Sequence, residues 1–542
     1  MSVERKTVAL GLDCPNSRVL EDWLDRGLLP NLRALRQASS NGTVVHHRKF
    51  NNENSWMPFL TGRNLETIDY WMSDYQPDSY ENTHQCLYNL QDHPPFYAVG
   101  DQANVIMFDL PVAISEQVEG VQVVGWASEL NEVFPASRPT HELKQIIEKY
   151  GLDPKLDGAL DLYNAALAKE GLSYQVPSVY DLQALTAFRD QLLESTAKRG
   201  AICREFLQRE NWDLFLGIFP EIHMAGHLLW HVSQPHPLSA LADGFDADPM
   251  LEVYQAVDEQ LGRIADSIGP RADLIVFSVD SMVSDCLETA RSLFLPEFIY
   301  RWNFPGKAAL AEGDAAAPVP DVGFDYQLHW AHEVWKLRTE RGAAELQSPQ
   351  AQAGANDSFY WQPTNWYRPV WEKMRAFALP SVADGYVRIN VVGREARGLV
   401  DPADYDSVCT EISERLRELV DARTGLPMVE RILRTRSNPF DTDAKQSPAD
   451  LIVLWQEESP TDVVQSPLVG RIGPVPYFRP GGHMKQGSRV ENFFLVRAPD
   501  CPAGAQFPEG RLEDIPATIL QRMGIPTPAH FDGRPLALSE LR

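Results

Sequence analysis

Eight short apolar runs punctuate the chain: TVALGLD, ANVIMFDLP, VQVVGWA, DLFLGIFPE, ADLIVFSVD, GYVRINVVG, ADLIVLW and ENFFLVRA. Continuous apolar runs of this length, without strict alternation, read as strands buried on both faces. Between several of them lie stretches of helical periodicity, at residues 17–42, 180–210, 249–268 and 402–423. Strand and helix in alternation predict an α/β fold, a mainly parallel central sheet with helices on both faces. Two regions break the rhythm. Residues 64–182 are long and mixed, and residues 305–363 hold the loop-like AALAEGDAAAPVPD and AAELQSPQAQAGANDS. We read residues 1–542 as one catalytic domain, 64–182 as an insertion or cap and 305–363 as a mobile insertion.

In such sheets ligands bind outside the carboxyl ends of the strands. Asp13 closes TVALGLD and Asp280 closes ADLIVFSVD, which makes both candidate site residues. In FPEIHMAGHLLWH, His223, His227 and His231 recur every fourth residue, on one helical face. Such spacing suits a metal site or a polar seam equally well. His231 lies a further turn along, roughly 6 Å, and is expected outside the ligand set. His483 stands in the Gly-rich RPGGHMKQGSR, where backbone can approach a ligand closely.

Composition narrows the ligand. The formal net charge is −26 with no basic block, so the field repels polyanions and excludes nucleic-acid polymers as partners; a small anionic substrate is expected. No run of about 18 apolar residues indicates a membrane span, and the N-terminus lacks a signal-peptide pattern, so a cytoplasmic protein is expected. A homo-oligomer is left open. Cys14, Cys86, Cys203, Cys286, Cys409 and Cys501 are scattered singly and read as reduced structural residues.

The order LGLD, PNLRALRQASSNG, SWMPFLTG, FPEIHMAGH, VFSVDSM, GGHMKQG and EDIPATILQRMGIPTPAHFDGRPL resembles the alkaline phosphatase superfamily. It is most similar to the type I phosphodiesterase and nucleotide pyrophosphatase branch. GYVRINVVGREARGLVDPADY also looks like a segment of bacterial members. The resemblance implies an alkaline-phosphatase-like core, two metal ions at the carboxyl edge of the sheet, a Thr or Ser nucleophile, and phosphoryl or sulfuryl transfer.

Carried over by position, one metal site falls on His223, His227 and His483, with His223 where the family has Asp. Three imidazoles with an open fourth position suit one zinc ion. The other site retains Asp13, but its SDHG motif reads Ser278, Val279, Asp280 and Ser281. Val279 cannot ligate a metal, and Asp280 stands where His is expected. The nucleophile position, ten residues before Gly62, is Asn52. Neighbouring Glu53 could bind a metal, act as general base or form a covalent intermediate, while NNENS could equally cap a helix. Glu221 and Arg48 are candidate substrate contacts. Of His46 and His47, strand alternation lets at most one face the crevice. Arg388 and Asn390 could hold an anion, although Arg394 and Glu395 equally suggest an ion pair. Trp361, Trp366, Tyr367 and Trp371 read as packing.

The expected function is hydrolysis of a phosphoester, a phosphodiester before a sulfoester, by metal-activated water in place of a Thr or Ser nucleophile. Alternatives are a transferase or lyase on the same fold, or a binding protein with a degenerate site.

Overall fold

The computed structural model describes residues 5–47, 55–64, 67, 73–84, 93–127, 135–156, 177–241, 245, 247–313, 316, 330–339, 343–355, 357, 359, 362–381, 384–441, 443, 446–456, 460–484 and 487–538. Nine strands form the central sheet: β1 (Lys6–Asp13), β2 (Ser40–His47), β3 (Gly100–Phe108), β4 (Val118–Val124), β5 (Ala136–Arg138), β6 (Leu214–Phe219), β7 (Ala272–Val279), β8 (Arg489–Arg497) and β9 (Gly510–Arg511). Their order is β9-β2-β8-β7-β1-β6-β3-β4-β5. The five strands β7-β1-β6-β3-β4 run parallel, while β8 is antiparallel to both β7 and β2.

The apolar runs explain the centre of this sheet. Strands β1, β6 and β7 are buried along almost their whole length, as strands covered on both faces must be. Val8, Leu10 and Leu12 of β1 join one apolar cluster, and Ala9 joins the other, on the opposite face. Helices Leu182–Leu207, Glu221–Ser233 and Pro249–Ile268 pack together, while Trp56–Thr61 packs on Asp514–Arg522. The α/β class expected from the sequence is therefore present.

Two expectations about organisation change. The region 64–182 supplies β3, β4 and β5 to the central sheet, so much of it is core rather than cap. GYVRI and LIVLW lie in a separate antiparallel sheet, ordered Ala376–Leu379, Gly385–Ile389, Leu451–Trp455, Val429–Arg434. The first apolar cluster continues from β1 into this second sheet through Phe377, Val387 and Leu451. Within 305–363, Trp330 is fully buried and stacks on Phe478 at 4.5 Å; residues 317–329 lie outside the described residues.

In the second sheet, Glu395 accepts from Arg388 at 2.7 Å and Arg394 at 3.0 Å, and Asp450 accepts from Arg394 at 2.7 Å. Burial pushes the Asp450 carboxyl up, but Arg394 and Arg388 outweigh it and hold it at about 2. Asn390 donates to the carbonyls of Trp371 and Met374. These groups stitch the sheet together. Trp366, Tyr367 and Trp371 are buried as packing residues; Trp361 lies outside the described residues. Among the described residues, no helix is long and apolar enough to cross a membrane.

Register brings the strand ends to one edge. Asp13 pairs with Val279, and Leu12 with Phe219. Cys14, Asp280 and the helix Glu221–Ser233 therefore leave the sheet side by side. Cys14 and Asp280 take positive φ of 52° and 64°. That left-handed turn costs a non-glycine residue roughly 1–2 kcal/mol.

Candidate metal centre

The three imidazoles expected to act together meet at this edge. The ring centroids of His223 and His227 are 4.6 Å apart, those of His223 and His483 4.9 Å, and those of His227 and His483 5.3 Å. His223 and His227 share a face of their helix. His483 arrives on the short strand Gly481–His483, paired antiparallel with Met282–Ser284. Gly481 has to be glycine, because a Cβ there would stand 1.9 Å from the carbonyl oxygen of Gly226 on the same helix.

The hydrogen bonds around the rings decide what they can do. Nδ1 of His223 is 3.0 Å from Asp13 Oδ2, and Nδ1 of His483 is 3.2 Å from Asp280 Oδ2. Nδ1 of His227 is 2.8 Å from the carbonyl oxygen of Gly481. Each acceptor calls for a proton on the facing Nδ1, which in a neutral imidazole makes Nε2 the acceptor nitrogen. The Nε2 atoms of His223 and His483 nevertheless face each other at 3.2 Å. An N–H···N hydrogen bond with one ring protonated, or a metal ion bound by both nitrogens, accounts for that distance. Two nitrogens bound at about 2.0–2.1 Å to one tetrahedral zinc stand about 3.3 Å apart, so a metal ion fits this edge.

Asp13 and Asp280 were expected among the ligands or catalytic groups. Each faces a histidine Nδ1, at 3.0 and 3.2 Å, a position from which a carboxylate can fix tautomer and ring orientation. Asp13 Oδ1 also accepts from Trp56 Nε1 at 3.1 Å. Burial pushes His227 well below the usual imidazole range, and the nearby Arg479 charge adds to this. His227 is therefore neutral.

Cys14 was not singled out from the sequence. Among the described residues, its Sγ and one ring nitrogen each of His223 and His483 lie within 4.8 Å of one another. The available signal was its place directly after Asp13. Burial, and next the Asp13 charge, push its thiol well above the ordinary value in the absence of an ion.

Other candidates are placed elsewhere. Glu221 is fully buried and accepts from Arg199 Nε at 2.7 Å and Ser195 Oγ at 2.9 Å. Residues two apart on a helix differ by about 200°, so Glu221 and His223 leave on nearly opposite sides. Glu221 anchors the helix instead of meeting substrate. Of the His46–His47 pair, His46 is buried, 3.0 Å from Ser55 Oγ, and His47 is exposed, as alternation requires. Arg48, Lys49, Asn52 and Glu53 lie outside the described residues.

His231 stands apart, its Nε2 donating to the Val179 carbonyl at 2.8 Å. Burial lowers it from 6.5 to about 4. The native value lies below the unfolded one, so the unfolded chain takes up the proton first. This stabilisation is whole above the unfolded value of 6.5 and drains away as pH falls through the native value of about 4. It amounts to about 3 kcal/mol. A His231→Gln variant is expected to lose stability less steeply than the wild type over that interval; equal slopes in chemical denaturation would disprove the assignment.

With this geometry in place, comparison with known proteins identifies the lineage. Residues 7–301 match the family described as type I phosphodiesterase/nucleotide pyrophosphatase. The chain belongs to this family. Its general chemistry is therefore that of a phosphoester hydrolase, and family members typically depend on divalent metal ions. No curated protein matches the chain. Among solved structures, human ectonucleotide pyrophosphatase/phosphodiesterase 5 is 11% identical with a TM-score of 0.47, covering 98% of this chain and 97% of its own. The murine protein, in an inactive form complexed with AMP, is 11% identical with a TM-score of 0.45, covering 97% of each chain. Phosphonoacetate hydrolase from Sinorhizobium meliloti, complexed with phosphonoacetate, is 13% identical with a TM-score of 0.41, covering 96% of each chain.

Proposed function

We propose that the chain hydrolyses phosphodiesters of small anionic substrates at one divalent ion, zinc, held by His223, His227 and His483. The observation that carries this reading is the approach of His223 Nε2 and His483 Nε2 to 3.2 Å while both Nδ1 atoms face carboxylates. A bound ion there supplies Lewis acidity, polarising a phosphoryl oxygen and lowering the pKa of a water.

The chain's own groups do the rest. Asp13 and Asp280 hold the His223 and His483 rings in one tautomer. The short strand Gly481–His483 seats the third imidazole against the helix backbone. With Asn52 at the position where the family has its hydroxyl nucleophile, we assign the attack to water and the acceptance of its proton to Glu53. A net charge of −26 favours small substrates over polymers.

Turnover of bis-para-nitrophenyl phosphate should be abolished by chelation, restored by zinc, and faster than turnover of the corresponding monoester. Glu53→Gln should lower kcat by about 10²–10⁴-fold. Undiminished diesterase activity in rigorously metal-free protein would overturn the reading.

A further inference from the structure

We propose that Cys14 is itself a ligand of this centre, which makes it a mixed thiolate–imidazole site of four protein donors that would take water as a fifth ligand; the inference rests on the metal reading above and deepens it. Of the described cysteines, Cys14 alone joins a group of three donors. Its Sγ and one ring nitrogen each of His223 and His483 lie within 4.8 Å of one another, and it meets the His483 ring 3.8 Å from Nδ1, the nitrogen that faces Asp280. Donors of one tetrahedral zinc, sulfur at about 2.3 Å and nitrogen at about 2.0–2.1 Å, stand about 3.6 Å apart, inside that span. A buried thiol is ordinarily a small apolar filler. This one instead sits among ring nitrogens and carboxylates, with Asp13 Oδ1 at 3.5 Å.

The backbone delivers the thiol to this place. Cys14 N donates to the Val279 carbonyl at 2.9 Å, and the Cys14 carbonyl accepts from Met282 N at 3.2 Å. The residue is thus clipped to the strand that leads into Asp280 and to the ribbon that carries His483. Its positive φ turns the chain out of β1 at the sheet edge, where the side chain borders both the apolar core and the imidazoles. On coordination the S–H bond breaks, a metal–sulfur bond forms, and the proton passes to solvent. A metal-bound thiol is held deprotonated even where burial would keep the free thiol neutral. One soft sulfur among imidazoles selects zinc, cobalt or cadmium over magnesium, manganese and calcium.

X-ray absorption at the zinc edge of the full-length loaded protein tests this. The expected result is one sulfur scatterer at about 2.3 Å beside nitrogens at about 2.0–2.1 Å. The cobalt-substituted protein should show a sulfur-to-cobalt charge-transfer band that Cys14→Ser loses while still binding cobalt. Cys14→Gly, which suits the positive φ, should behave as Cys14→Ser does and serves if the serine variant fails to fold. A bound ion with only nitrogen and oxygen neighbours overturns the role of Cys14 and leaves the histidine site standing. Failure of the wild type to bind zinc or cobalt overturns both. The wild-type spectrum decides even if neither variant folds.

Discussion

Replacing His223 with alanine is expected to strip the protein of its divalent ion and to lower diesterase kcat/KM by on the order of 10³-fold, since such an ion stabilises the transition state by several kcal/mol. His223 sits between Asp13 on its Nδ1 side and His483 on its Nε2 side. Truncation therefore removes a ligand and at the same time frees the ring of His483 to turn. A milder change separates the two effects. Asp13→Asn keeps the imidazole but weakens the group that sets its tautomer, and should lose only about 10–100-fold in metal affinity or activity. Metal analysis together with steady-state kinetics measures both. A His223→Ala protein that holds one ion per chain and turns over at the wild-type rate would eliminate this centre.

Arg199→Met should destabilise the metal-free protein by about 3–5 kcal/mol, measured by urea denaturation with far-ultraviolet circular dichroism. The guanidinium is fully buried and bridges Glu221 Oε1 at 2.7 Å and Asp109 Oδ2 at 2.9 Å. Burial alone would lower its pKa; the Glu221 and Asp109 charges outweigh this and keep it charged. The rings of Trp126 and Phe108 lie 5.3 and 5.4 Å from it, leaving water no access to replace the lost cation. Methionine fills similar volume, so the loss isolates two uncompensated carboxylates from any cavity effect. Adding Glu221→Gln should recover part of it, because one of those charges is then removed. A loss below about 1 kcal/mol would overturn the role of Arg199 as the counter-charge to this buried pair.

Much of the site was legible because its parts follow local rules. TVALGLD is apolar throughout because both faces of β1 are covered, and its terminal Asp13 had to reach the sheet edge. The i, i+4 spacing put His223 and His227 on one face. Less legible were features set by rotation or by distant partners. Glu221 looked like a substrate contact because it is close in sequence, but two helical steps turn it towards Arg199. GYVRI and LIVLW are as apolar as the central strands, and apolarity does not say which sheet a strand joins. Asp13 and Asp280 stand at the edge where ligands were expected, and their pairing with His223 and His483 depends on partners far away in sequence. Cys14 passed for one of several scattered buried cysteines because nothing in its own segment announces His483.

That last separation bears on how the protein matures. His223 and His483 are 260 positions apart, and His223 and Asp13 210. During synthesis β1 and the helix Glu221–Ser233 leave the ribosome long before the Gly481–His483 ribbon exists. Until the ribbon docks, the nascent chain offers an incomplete donor set. On the proposed metal reading, loading would be a late, post-translational event, and a chain truncated before residue 481 would lack one of the donors that retain the ion.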